Sequence, residues 1–91
     1  MTRLAHYSVV EINDDREITN VGTFTNITND NIGRDILLTA LNIALSKHLD
    51  CDEDDLNYLL FTENFDEEFV VTVFGLEHTF VIGETWLYRA W

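Results

Sequence analysis

The most regular hydrophobic pattern of the chain lies between residues 32 and 49, where apolar residues recur at spacings of three and four. So wide an apolar stripe predicts a helix laid across a sheet. The preceding run 28–31, Thr-Asn-Asp-Asn, supplies residues that favour the N-cap of a helix. Two adjacent lines make up the stripe: Leu37, Leu41, Ala44 and Leu45, and beside them Ile36, Ala40 and Ile43.

The first quarter of the chain predicts a β-hairpin. Residues 4–12 and 17–27 are rich in β-branched and aromatic types, and each is short enough for a strand. The polar run 13–16, Asn-Asp-Asp-Arg, separates them and favours a turn, because Asn and Asp side chains hydrogen-bond to nearby backbone groups. Gly22, inside the second strand, predicts a bulge or a close backbone approach.

The last third of the chain predicts a second pair of strands, residues 68–75 and 78–89. Gly75-Leu76 fits the central pair of a type II′ turn, which takes glycine first. Between helix and hairpin, residues 56–61 are too short for their periodicity to distinguish a helix from a strand. The expected order is β-β-α-(α)-β-β, which gives an α+β two-layer sandwich with an antiparallel four-stranded sheet and one long helix on one face.

Length and composition predict one soluble domain over residues 1–91. Hydrophobic residues make up 46% of the chain, enough for a folded core. No apolar run approaches the roughly 20 residues that a membrane-spanning helix needs. The first residues, MTRLAHYSVV, lack the apolar region of a signal peptide. We therefore expect an intracellular protein that acts in the cytoplasm, either of its own cell or of a host cell.

Charge is concentrated in one segment, residues 50–68. This segment holds nine of the seventeen carboxylates and no Lys or Arg, so it supplies nine units of the formal net charge of −12. A chain of this charge repels nucleic acid and anionic membranes, which excludes direct binding to either. The surface favours a basic protein as partner.

Motifs for catalysis, cofactors and metals are weak or absent. Asp50, Asp52 and Asp54 resemble the start of a calcium loop, but Asp55 and Phe61 stand where that loop needs glycine and a bidentate glutamate. The three histidines are far apart in sequence, and the acids around the single cysteine disfavour a reactive thiolate. We expect no catalytic residues, no cofactor and no metal site, and so no enzyme.

The acidic segment predicts a surface that imitates nucleic acid. Carboxylates three or four apart on a helix, or alternating on a strand, lie about 5–7 Å apart, close to the spacing of successive phosphates. Such a row fits a Lys/Arg groove built for nucleic acid. The predicted partner-binding residues are Asp50, Asp52, Glu53, Asp54, Asp55, Glu63, Asp66, Glu67 and Glu68, with Asp14 and Asp15 of the first hairpin extending the track.

In size and acidity the chain is similar to phage-encoded anti-restriction and anti-CRISPR proteins that mimic DNA. The resemblance is one of composition and carries over no residue. It implies a small inhibitor that occupies the basic nucleic-acid site of a partner enzyme or complex. Two alternatives remain open: an immunity protein or antitoxin that neutralises a basic toxin, and a non-catalytic adaptor or homodimer. The last would use the aromatic C-terminus, Trp86, Tyr88 and Trp91, as its contact. Independently of these alternatives, we expect Trp86 to be buried and Trp91 to pack on the body or on a second copy.

Overall fold

The computed structural model describes residues 4–28, 30–60 and 65–87, the last three of these by their backbone. Four strands form one antiparallel sheet, and one long helix lies on one face. The predicted α+β two-layer fold is thereby confirmed. The elements are β1 (Leu4–Ile12), β2 (Ile18–Thr28), α1 (Asn31–Leu49), a 3₁₀ turn (Glu53–Asp55), β3 (Glu68–Val73) and β4 (Leu76–Leu87). The order of the strands in the sheet is β2-β1-β4-β3.

The core lies between α1 and one face of the sheet. Leu37, Leu41 and Leu45 of the helix are almost completely buried, with exposed fractions of 2%, 0% and 0%. Alternate residues of the strands complete the same cluster, because side chains two apart on a strand share a face. These sheet residues are Ala5, Tyr7, Val9, Ile27, Phe69, Val71, Val73, Phe80 and Ile82. On the opposite face Ser8, Thr23, Glu68 and Val70 are exposed.

Only one of the two predicted apolar lines of the helix enters this core. Ile36 and Ile43, on the second line, are 53% and 41% exposed, and Ala40 between them is partly buried. The reason is that the sheet covers the side of α1 carrying the three leucines, while the second line lies well round the helix axis. The helix is therefore apolar on both its inner and its outer side.

Local signals at the two ends of α1 and inside β2 have the structural effects that their chemistry predicts. Asp30 is the N-cap, and its Oδ1 accepts the Gly33 backbone N–H at 2.7 Å. Asp50 ends the helix in the left-handed region, with φ of 54°. The pairing of β1 with β2 shifts register between Val9 and Val10, opposite Gly22, so the predicted bulge is present.

Two local predictions were wrong. Val73 pairs with Leu76, so the second hairpin turns at Phe74-Gly75 and not at Gly75-Leu76. Both turn residues have positive φ, 51° and 79°, as a type I′ turn requires. Residues 56–60 form neither a helix nor a full strand; they pair with β3 only through the isolated bridge from Asn57 to Thr72.

Candidate functional site

Five of the predicted acidic residues lie where α1 ends. Asp50 is the left-handed residue after the helix, and Asp52 precedes the 3₁₀ turn. The backbone N–H of Asp52 donates to Asp55 Oδ2 at 3.2 Å, so one carboxylate of the group stabilises the local backbone. Asp50, Asp52, Glu53 and Asp54 are exposed, and Asp55 is half-buried.

Three further acids lie at the start of β3. The Asp66 backbone N–H donates to the Ile82 carbonyl at 2.7 Å, and its Oδ1 accepts the Glu84 backbone N–H at 3.3 Å. These bonds anchor the turn into β3 against β4. Glu67 and Glu68 follow it, and both are exposed.

Both acidic groups connect to β3: the group after α1 leads to a residue that pairs near the end of the strand, and the second group lies at the strand's start. Asn57, two residues after Asp55, exchanges two backbone hydrogen bonds with Thr72 near the far end of the strand, at 3.1 and 2.9 Å. Glu68 stands four residues earlier on β3, a distance of about 13 Å along the strand. We call these eight residues the acidic edge: Asp50, Asp52, Glu53, Asp54, Asp55, Asp66, Glu67 and Glu68.

The first hairpin turn reaches the same edge through one ion pair. Arg16 donates to Glu68 Oε1 at 3.1 Å, with both side chains largely exposed. Its neighbours in the turn, Asp14 and Asp15, are also exposed. The turn is fixed by Asn13, whose Oδ1 accepts the Glu17 backbone N–H at 2.8 Å. A surface pair of this kind contributes about 0–1 kcal/mol to stability, so Arg16 orients the turn more than it stabilises the fold.

The arrangement differs from a regular row of charges. The carboxylates of the acidic edge belong to a helix end, a 3₁₀ turn and a strand start, and not to one helix or strand with a single spacing. The predicted residue Glu63 lies outside the described residues, as do the side chains of Trp86 and Trp91. Burial of Trp86 and packing of Trp91 therefore stay predictions.

The acidic surroundings also affect Cys51. This cysteine is half-buried directly after the helix. Burial, together with Asp55, Asp52 and Asp50, raises the pKa of its thiol. A thiol with a raised pKa holds little thiolate at neutral pH, which is the form that acts as a nucleophile.

A second polar cluster was not predicted from the sequence. Glu11 of β1 bonds to two histidines at once: Oε1 lies 2.6 Å from His48 Nε2 on α1, and Oε2 lies 3.2 Å from His78 Nδ1 on β4. The Glu11 side chain is 22% exposed. Burial opposes ionisation here, but the bonds and charges of the two histidines outweigh it and lower the pKa of Glu11.

This cluster joins three elements, since it connects the last turn of α1 to the middle of the sheet. Sequence spacing gave no sign of it, because its members are 37 and 67 residues apart. The pairing register provides the missing information: Glu11 lies opposite Phe80 on β4, two residues from His78 on the same face.

Within the described residues, no group of three His, Cys, Asp or Glu side chains is arranged to hold a metal ion. In the same part of the chain, no helix is long and apolar enough to cross a membrane.

Comparisons with protein-family models, with curated proteins and with solved structures find no match for this chain.

Proposed function

We propose that this protein is a small acidic inhibitor that binds a basic protein and occupies its nucleic-acid-binding site. The observation that carries the proposal is the acidic edge, which has eight carboxylates close to β3 in the sequence. Within the described residues, Arg16 is the basic side chain that forms an ion pair with one of them, Glu68. The proposed partner is a nucleic-acid-binding enzyme or complex, and the protein itself performs no catalysis.

The physical basis is electrostatic steering and charge complementarity. A surface with one sign of charge speeds association with an oppositely charged groove, and the rate falls with ionic strength. A groove that binds nucleic acid is lined with Lys and Arg at positions matched to phosphates. The carboxylates of the acidic edge belong to a helix end, a 3₁₀ turn and a strand start, so the fold positions the backbone that carries them, unlike the backbone of an unfolded acidic tail.

Exposure and bonding indicate which carboxylates to test. Asp54 and Glu67 are exposed and make no side-chain hydrogen bond within the described part of the chain. Asp55 and Asp66 bond to the backbone, so changing them would disturb the fold as well as the charge. The double variant Asp54→Asn, Glu67→Gln therefore removes two charges from the acidic edge with least effect on folding.

A matched control changes the net charge by the same amount at the opposite edge of the sheet. Thr19→Lys with Thr25→Lys raises the net charge by the same two units on exposed positions of β2. This strand is the edge opposite β3. Any effect of overall charge appears in both variants, whereas an effect of the acidic edge appears in the first alone.

The test is affinity capture of binding proteins from nuclease-treated cell lysate, washed at low and then at moderate salt. We expect a nucleic-acid enzyme to be retained and to be displaced by added DNA or RNA. The Asp54→Asn, Glu67→Gln variant should bind it more weakly and with a shallower salt dependence, and the β2 control should bind nearly as wild type does. Retention of a small basic toxin that nucleic acid does not displace would instead support the immunity function. Equal binding by wild type and the acidic-edge variant would refute the role of this surface.

A further inference from the structure

We propose that the hollow between α1 and the segment 53–60 receives an arginine side chain of the basic partner. This inference rests on the proposed function and adds the chemistry that the partner must present to one part of the surface. The hollow has a volume of ≈ 380 Å³, near the lower end for ligand pockets, which suits a single long side chain. Its lining includes Leu38, Asn42, Glu53, Leu56, Tyr58 and Leu59.

The walls of the hollow come from two parts of the chain. Leu38 and Asn42 lie one turn apart on α1, so their side chains are neighbours on the helix surface. The other wall includes Leu56 and Leu59, which follow the 3₁₀ turn. The bridge to β3 described above holds this segment beside the sheet. Leu59 is 77% exposed, so the described chain leaves its apolar surface open to a ligand.

The polar groups of the hollow favour a ligand that donates hydrogen bonds. The Tyr58 hydroxyl donates to Asn42 Oδ1, so the hydroxyl oxygen offers its lone pairs to a ligand. Burial raises the pKa of Tyr58, and the charge of Glu53 raises it further, which keeps this hydroxyl protonated. The Glu53 carboxylate lines the same hollow and forms no ion pair within the described residues. The Asn42 amide nitrogen is the remaining side-chain donor of the lining.

An arginine side chain matches both the apolar and the polar part of this lining. Its methylene groups can lie along Leu56 and Leu59 while its charged end stays near water. The planar guanidinium carries five N–H donors, enough for the Glu53 carboxylate and the Tyr58 oxygen together, whereas the lysine ammonium is a more strongly hydrated point charge. The lining contains one acid and no base, so charge complementarity favours a cation over a neutral or acidic ligand.

The test is an NMR titration of the purified protein, at low salt, with the synthetic peptide acetyl-Gly-Arg-Gly-amide at millimolar concentration. We expect chemical-shift changes concentrated on the methyl groups of Leu38 and Leu59 and on the ring of Tyr58. The same peptide with citrulline in place of arginine keeps the shape but loses the charge, and it should bind about fivefold more weakly. The peptide with lysine should bind about threefold more weakly than the arginine peptide.

Two pairs of variants locate the binding. Glu53→Gln should weaken binding of the arginine peptide about threefold, as the loss of an exposed ion pair does. Glu77→Gln makes the same change at an exposed position of β4 outside the lining and should bind as wild type does. Leu59→Ser should also weaken binding about threefold, because the apolar contact is lost. Its control, Leu76→Ser, lies at a residue 66% exposed on β4 and should have no effect. Circular dichroism checks the folding of all four variants.

Several results would overturn this proposal: no shift changes at millimolar peptide, equal binding of the arginine and citrulline peptides, or Glu53→Gln binding as wild type does. The outcome is separable from that of the capture experiment, because the titration needs only the purified protein and a peptide. A nucleic-acid enzyme captured without any binding of the peptide refutes the hollow alone. Peptide binding in the hollow without a captured nucleic-acid enzyme refutes the inhibitor function and leaves the arginine site standing.

Discussion

Replacing Phe74 by Asn should stabilise the protein, although it removes an aromatic ring. Phe74 is the first residue of the type I′ turn between β3 and β4, and its φ is 51°. For an L-residue other than Gly, Asn or Asp, the left-handed conformation costs roughly 1–2 kcal/mol, because Cβ crowds the following carbonyl oxygen. Asn is among the residues that adopt this conformation readily, and it is preferred at this turn position.

The magnitude follows from how little the ring contributes. Phe74 is 75% exposed, so its loss removes about 0.5 kcal/mol of burial, a fraction of the value for a fully buried Phe. Relief of the backbone strain exceeds that loss, and the expected net gain is about 1 kcal/mol. For a domain of this size such a gain raises Tm by about 4–8 °C.

The assay is thermal and urea unfolding followed by circular dichroism, at a fixed protein concentration because association shifts Tm. Two variants bracket the result. Phe74→Ala loses the ring but keeps the strained Cβ, so it should be neutral or slightly destabilising. Gly75→Ala meets no atom within 4 Å yet has φ of 79°, so it should destabilise by about 1 kcal/mol through backbone strain alone. If Phe74→Asn lowers Tm as much as Phe74→Ala does, the ring makes contacts that outweigh the strain and the reasoning is wrong.

Three further changes test the core, the helix start and the histidine cluster. Leu41 is completely buried, so Leu41→Ala should lower the free energy of unfolding by about 3 kcal/mol. Urea unfolding should show a lower midpoint with an unchanged slope. A loss under about 1 kcal/mol would mean that α1 does not pack as described. Gly33→Ala should lower Tm despite the higher helix propensity of Ala, because the new Cβ would lie 1.9 Å from the Thr28 carbonyl oxygen; a rise in Tm would contradict that close approach. Glu11→Gln should lower the free energy of unfolding by about 1.5 kcal/mol at neutral pH, where a charged acceptor is lost. Because the pKa of Glu11 is lowered in the folded state, the difference in unfolding free energy between wild type and this variant should be complete above pH 4.5, the ordinary pKa. It should vanish as the pH falls through the folded pKa. Urea titrations at several pH values measure this difference, and a difference that does not close at low pH would contradict the cluster.

The sequence by itself determined the four strands, the long helix and their order, but not the conformation of residues 56–60. The strand 4–12, the start of β3 at residue 68, the end of the helix at Leu49 and the Gly22 bulge all follow from signals carried by neighbouring residues, such as alternation, helical spacing and capping. The turn at Phe74-Gly75 was missed by one residue. The reason is that Phe is a poor residue for positive φ, and only the pairing of Val73 with Leu76 forces it there.

Only the tertiary structure decided which side chains meet. Strand order places β3 and β2 at opposite edges, so the turn into β3 with Asp66, Glu67 and Glu68 lies at one edge of the sheet and the groove between α1 and β2 at the other. The same order joins Glu11 to two histidines that sequence spacing keeps apart. It also leaves the second apolar line of α1 exposed, because a helix buries against a sheet only the side that faces it. Local patterns report the conformation of a segment, whereas contacts between distant residues depend on the pairing register, which no single segment encodes.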